Sequence, residues 1–171
     1  MAGSLEPVSV EEWLGAMPPE VVQPSDRAAA VDSIVADMPL PPGADLSPVR
    51  DAAGVLDRYQ LIARTTSVVA CGWFVNWAEA LKSGDDAEAA RAVQAMRTSR
   101  DWDALREIRS EGAYAQFVWD YADRMAADDR ELLGPSGSTT TADGRKFVTG
   151  PGYATAFGCE DQQYKRPVED R

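Results

Sequence analysis

Between Leu56 and Leu81 an apolar or aromatic side chain returns every three or four residues, at Leu56, Tyr59, Ile62, Val69, Trp73, Trp77 and Leu81, with Thr66 filling the gap. Strands alternate with period two, so this run reads as an α-helix with one apolar face. A helix cannot cover its own stripe, and other helices must pack against it. Ser47 followed by Pro48 marks the expected start, since proline at the first helical position loses no hydrogen bond. One helix from Ser47 to Leu81 is expected, with Gly54 the place where it would break. It should end at Gly84, where a left-handed residue is wanted, and Asp85 or Asp86 should cap the next helix.

The flanking sequence supplies the partners. Ser9 to Glu12, "SVEE", has the form of a capping box, followed by Trp13, Leu14 and Met17 and stopped by Pro18 and Pro19. Ser25 is placed to cap a second helix through Val31, Ile34, Val35 and Met38, which Pro39, Pro41 and Pro42 end. Ala89, Val93 and Met96 share a stripe on the helix after Gly84. Another helix is expected from Ser99, carrying Trp102, Leu105 and Ile108 or Arg109, and ending at Gly112. The last should run from Tyr114 to Ala127 with Phe117, Val118, Tyr121 and Met125 inward, and with Asp120 and Arg124 paired one turn apart. Short links favour antiparallel neighbours.

After Leu133 the character changes. "GPSGSTTTADGRKFVTGPG" has five glycines and two prolines in nineteen residues. It reads as loop, with a hairpin turning at Asp143 and Gly144 as the alternative. An apolar "YATAFGC" follows, then a polar end. The expected architecture is therefore a single all-α, bundle-like domain. Residues 1–46 form a Pro-rich N-terminal arm with two short helices, 47–132 the helical core, and 133–171 a loop-rich segment returning to dock on it.

A chain of 171 residues suits one core. Its 17 basic and 28 acidic residues leave a net charge of −11, which opposes phosphate backbones and anionic membranes, so no nucleic-acid partner is expected. The most apolar stretch, Thr65 to Leu81, is shorter than the roughly 20 residues of a membrane span and includes Asn76 and Glu79. The opening "MAGSLEPVSVEEW" has no basic segment followed by an apolar one, so any leader or anchor is expected to lie upstream.

Trp73 and Trp77 lie one turn apart on the long helix, which makes them core residues on the preferred reading. The alternative is an aromatic binding surface of Trp73, Asn76, Trp77 and Trp119. Cys71 and Cys159, 88 positions apart, are the only cysteines. A disulfide between them would tie "YATAFGC" to the long helix and imply an oxidising compartment; two separate buried thiols are the alternative. Two cysteines without histidine are too few for a structural zinc site, so no metal is expected, and no cofactor signature is present either.

The absence of histidine removes the Ser-His-Asp and Cys-His nucleophile arrangements. "GPSGST" lacks the end of a phosphate-binding P-loop, and "GPGYAT" lacks the third glycine of a dinucleotide fingerprint. "DDAEAA" and "ADDRE" lack the spacing of a calcium loop. Carboxylate chemistry survives, with Glu79 beside the tryptophans and Asp120 beside Trp119 and Tyr121 as candidates.

The order of "YQLIARTTSVVACGWFVNWAEALKSGD", "AMRTSRDWDALREI", "FVWDYAD" and "YATAFGC", over roughly Leu40 to Cys159, resembles extracytoplasmic domains of actinobacterial membrane-anchored proteins whose activity is uncharacterised. Fourteen arginines against three lysines, with abundant alanine, fit a GC-rich genome. The resemblance implies an outward-facing domain with one cysteine in the long helix and one in the terminal "FGC". It implies contact with a membrane only through an anchor that this chain does not carry. The expected role is a non-catalytic extracytoplasmic module that binds or senses a protein or cell-wall ligand. The alternative is a carboxylate-dependent hydrolase acting on a cell-wall glycan.

Overall fold

The computed structural model describes residues 7–135, 138–140, 146–148, 151–159 and 166–167, with side chains within 7–135 and 151–159. Among them the helices are α1 (Val10–Gly15), α2 (Arg27–Ile34), α3 (Ser47–Arg50), α4 (Arg58–Ser83), α5 (Asp86–Arg97), α6 (Asp103–Ile108), α7 (Tyr114–Ala126) and α8 (Gly152–Phe157). The single domain is all-α apart from two small sheets. In one, β1 (Val21–Val22) pairs antiparallel with β2 (Leu56–Asp57); in the other the order is β3 (Ser138–Thr140), β4 (Lys146–Val148), β5 (Arg166–Pro167).

The 26-residue α4 is the hub, packing against α5, α8, α2 and α6. Its buried face carries Leu61, Ile62, Val69, Trp73, Phe74 and Trp77, following the period read from the sequence. Gly84 ends it at φ 75°, and Asp85 caps α5 by accepting the Glu88 amide at 3.0 Å. Ala92 and Met96 of α5, Trp102, Leu105 and Ile108 around α6, and Val118 and Met125 of α7 complete the core with Val31 and Ile34 of α2. Residues 27–46 thus contribute directly to the core, through Val31, Ile34, Met38 and Leu46.

The expected helix from Ser47 to Leu81 is two helices. α3 stops at Arg50, and Gly54 takes φ 85°. The fully buried Arg27 donates from its guanidinium to the carbonyls of Ala52 and Gly54, which a continuous helix would have kept for itself. Leu56 and Asp57 then pair with β1, and Asp57 restarts the helix by accepting the Gln60 amide at 2.7 Å. Ser47 is not a cap; Leu46 holds that position, and the Ser47 amide donates to Asp45 at 2.9 Å.

Other local expectations also change. The capping box at Ser9 forms as read, with Glu12 reaching back to the Ser9 amide at 2.9 Å. Asp26, not Ser25, precedes α2, and α2 ends at Ile34, ahead of the prolines. Ser99 lies inside a 3₁₀ turn, Thr98–Asp101, and Trp102 is the N-cap position of α6. Asp120 accepts from Gln116 at 2.6 Å, whereas Arg124 pairs with Asp129 at 2.7 Å, because the turn after α7 brings Asp129 back to it. β3 and β4 form an antiparallel ladder, Ser138 opposite Val148, in a stretch whose glycines and prolines favour loop. The turn at Asp143 and Gly144 lies outside the described residues.

The Cys71–Cys159 disulfide is present, with Cα atoms 5.7 Å apart. It fastens α8 to α4, and there Tyr153 stacks on Phe74 with centroids 5.3 Å apart while Phe157 packs against Phe74, Phe117 and Tyr121. Gly158, at φ 64°, turns the chain so that the Cys159 amide bonds the Ala154 carbonyl at 2.9 Å.

Candidate functional site

The proline-rich stretch that ends the α2 region crosses α4 as a strap. Pro41 is buried against Gly72, where a Cβ would fall 2.4 Å from Pro41 Cγ, so only glycine lets the two approach this closely. One residue on, the Trp73 indole N–H donates to the Pro39 carbonyl at 2.8 Å. These contacts hold the strap beside the α4–α5 helical hairpin, and a groove forms between them.

The groove has two clefts that share Pro42 and Arg91. The first, about 480 Å³, is roofed by Pro39, Leu40 and Pro42 over Trp73 and Ala95, with Gln94 and Thr98 at its edge. The second, about 440 Å³, is lined by Asn76, Ala80 and Ser83 of α4 together with Glu79, Asp85 and Glu88. Leu40 is 44% exposed at the rim, one of the few large apolar side chains open to solvent among the described residues. Arg91 pairs with Glu88, and Asp85 is committed through one oxygen to its cap. Asn76 Nδ2 is buried, out of reach of solvent, with no hydrogen-bond partner among the described residues.

The residues read as a possible binding surface separate here. Trp73 forms the floor of the first cleft at 4% exposure, and Asn76 lines the second. Trp77, at 1%, lies in the core edge-on to Phe74. Trp119 on α7 lines neither cleft; its indole N–H donates to the Ser99 carbonyl at 3.1 Å, and the Arg100 guanidinium sits 5.5 Å over its ring. Of the two candidate carboxylates, Glu79 stands exposed at the groove and Asp120 is exposed on α7 with its Gln116 bond. Pro39, Leu40, Pro42 and Arg91 escaped the sequence reading. Their one signal was a large apolar residue, Leu40, set in a stiff proline connector where no core position required it.

A further cleft of about 560 Å³ lies beside the start of α4, among Glu20, Asp57, Tyr59, Glu107 and Glu111. Arg58 spans it to Glu107 by two hydrogen bonds, at 2.8 and 2.9 Å, which hold the Glu107 carboxyl below its usual range. Behind it, the Tyr59 hydroxyl accepts the Tyr114 amide, and burial pushes the Tyr114 hydroxyl well up even though it bonds Ser67 at 2.6 Å. This corner is committed to holding α4, α6 and α7 together.

Among the described residues no helix is long and apolar enough to cross a membrane. No protein-family model, curated protein or solved structure matches the chain.

Proposed function

We propose that this chain is a non-catalytic extracytoplasmic binding module, displayed from a membrane anchor outside this chain, that takes its ligand in the groove between the proline strap and the α4–α5 hairpin. The observation that carries this reading is the groove itself: a rigid helical hairpin and a pinned strap keep Leu40 exposed over an apolar floor, with Glu79, Asp85, Glu88 and Arg91 at the other end. Binding sites are commonly concave and largely apolar with a few polar groups that orient the ligand, and this groove has both parts. The disulfide supports an oxidising compartment, where such bonds persist. The net charge of −11 makes duplex nucleic acid a poor ligand.

Titration of the ¹⁵N-labelled domain with cell-wall fragments, glycan strands and peptides separately, tests the reading. Saturable shifts at Leu40, Asn76 and the Trp73 indole N–H are expected. Binding that leaves these signals in place and moves another face would overturn the site. Turnover of a glycan that a single Glu or Asp change abolishes would replace the module with a hydrolase.

A further inference from the structure

We infer that the groove selects an extended peptide segment carrying an apolar side chain and, a few residues along, a lysine or arginine. The inference rests on the groove being the binding site and adds the chemistry of its ligand. The two clefts differ in kind. The Leu40 and Trp73 end is apolar, whereas the other end sets three carboxylates, Glu79, Asp85 and Glu88, against one guanidinium, Arg91. A wholly apolar ligand would leave the acidic end uncompensated, and a neutral glycan would bring no charge to it. A simple cation would leave Leu40 and the Trp73 floor uncovered.

The spacing suits a peptide backbone. From Trp73 to Ala80 is seven residues of α4, about 10 Å at the helical rise. Side chains on one side of an extended chain recur about every 6.6 Å, so a basic residue two or four positions from the apolar one reaches the acidic end. Asn76 lines the acidic cleft one turn along α4 from Trp73, so the two sockets adjoin along a single helix face. The recognition then rests on two side-chain sockets of opposite character, one apolar and one acidic, spaced as alternate side chains of an extended chain are.

The probe is a terminally blocked hexapeptide, glycine-leucine-glycine-lysine-glycine-lysine, titrated into the oxidised domain and followed by ¹⁵N NMR. Saturable shifts confined to the strap, α4 and α5 are expected, weakening as salt screens the charges. The double variant Glu79→Gln with Asp85→Asn removes two charges and keeps the helix cap, because asparagine caps as well as aspartate. It should keep a native-like spectrum and bind roughly fivefold more weakly, as two exposed charge contacts imply. Equal binding of the peptide with both lysines acetylated would overturn the inference. So would glycan strands shifting Leu40 and Asn76 while the peptide does not, a result that leaves the groove standing as the site. If neither ligand moves the groove signals, the inference and the binding site both fall.

Discussion

Gly72 is where a single atom decides the shape of the groove. An alanine there gains about 1 kcal/mol of helix propensity over glycine, but its Cβ would lie 2.4 Å from the rigid Pro41 ring. Overpacking of that kind costs about 1–3 kcal/mol when nothing moves. The cheaper response is for the strap to lift, so Gly72→Ala should lower the melting temperature by only a few degrees. It should also break the Trp73 to Pro39 hydrogen bond, seen as a shift of the Trp73 indole proton and loss of peptide binding. Glu107 offers a second test at this scale. Its hydrogen bonds from Arg58 lower its pKa in the folded state, so the pair stabilises the fold above the ordinary value near 4.5 and loses that contribution as pH falls through the lower folded value. Both side chains are more than a third exposed, at 35% and 43%, so the worth is at most about 1 kcal/mol. Glu107→Gln should melt a degree or so below the parent at pH 7, and the gap should close in the acid range. Melting curves from pH 7 down to the acid limb of folding check it; a gap that stays constant would assign the effect to something other than this ion pair.

At the level of elements, helix starts separate local signals from tertiary ones. Ser47 with Pro48 has the look of a start, yet the long helix begins at Arg58, capped by Asp57, whose carboxylate accepts the Gln60 amide. Asp57→Ala should therefore cost about 1 kcal/mol, the usual worth of a cap. Ser47→Ala, at an exposed position that caps nothing, should change stability by less than about 0.5 kcal/mol. Paired thermal melts decide between the two, and a larger loss at Ser47 would contradict the observed start. Asp120 and Arg124 show the same division. Their spacing permits a pair, but Asp120 bonds Gln116 and Arg124 bonds Asp129, which the turn after α7 returns to it.

For the whole molecule, the bridge from Cys71 to Cys159 closes a loop with a sequence separation of 88, worth roughly 4–5 kcal/mol in the chain-entropy view. Among the described helices α8 is the one that depends on it directly, because α4, α5, α6 and α7 hold one another through their own apolar faces. Reduction should free α8 first. Amide exchange at Tyr153–Phe157 and the ring signals of Phe74 should change while helical circular dichroism persists, with global melting moved down afterwards. Simultaneous loss of both signals on reduction would show that the bundle itself needs the bridge.

The period of α4, the Ser9 capping box and the Gly84 stop were legible in the sequence because each depends on residues within a turn or two of one another. The cysteine pair was legible as one of two outcomes, since an apolar segment ending in the second cysteine had to bury Tyr153 and Phe157 somewhere. The helix break at Gly54 was visible as a weak point only. What enforces it is Arg27, whose guanidinium takes carbonyls 25 and 27 residues away, and no local pattern records such a bond. The groove was hidden for the same reason: it exists because Pro39 meets Trp73 across 34 residues and Pro41 meets Gly72. Short-range chemistry settled where most of the helices lie, though not the break at Gly54 or the helix Gly152–Phe157. Only the packing of distant segments, where a proline ring fits against a glycine and nothing larger, decided the shape of the groove.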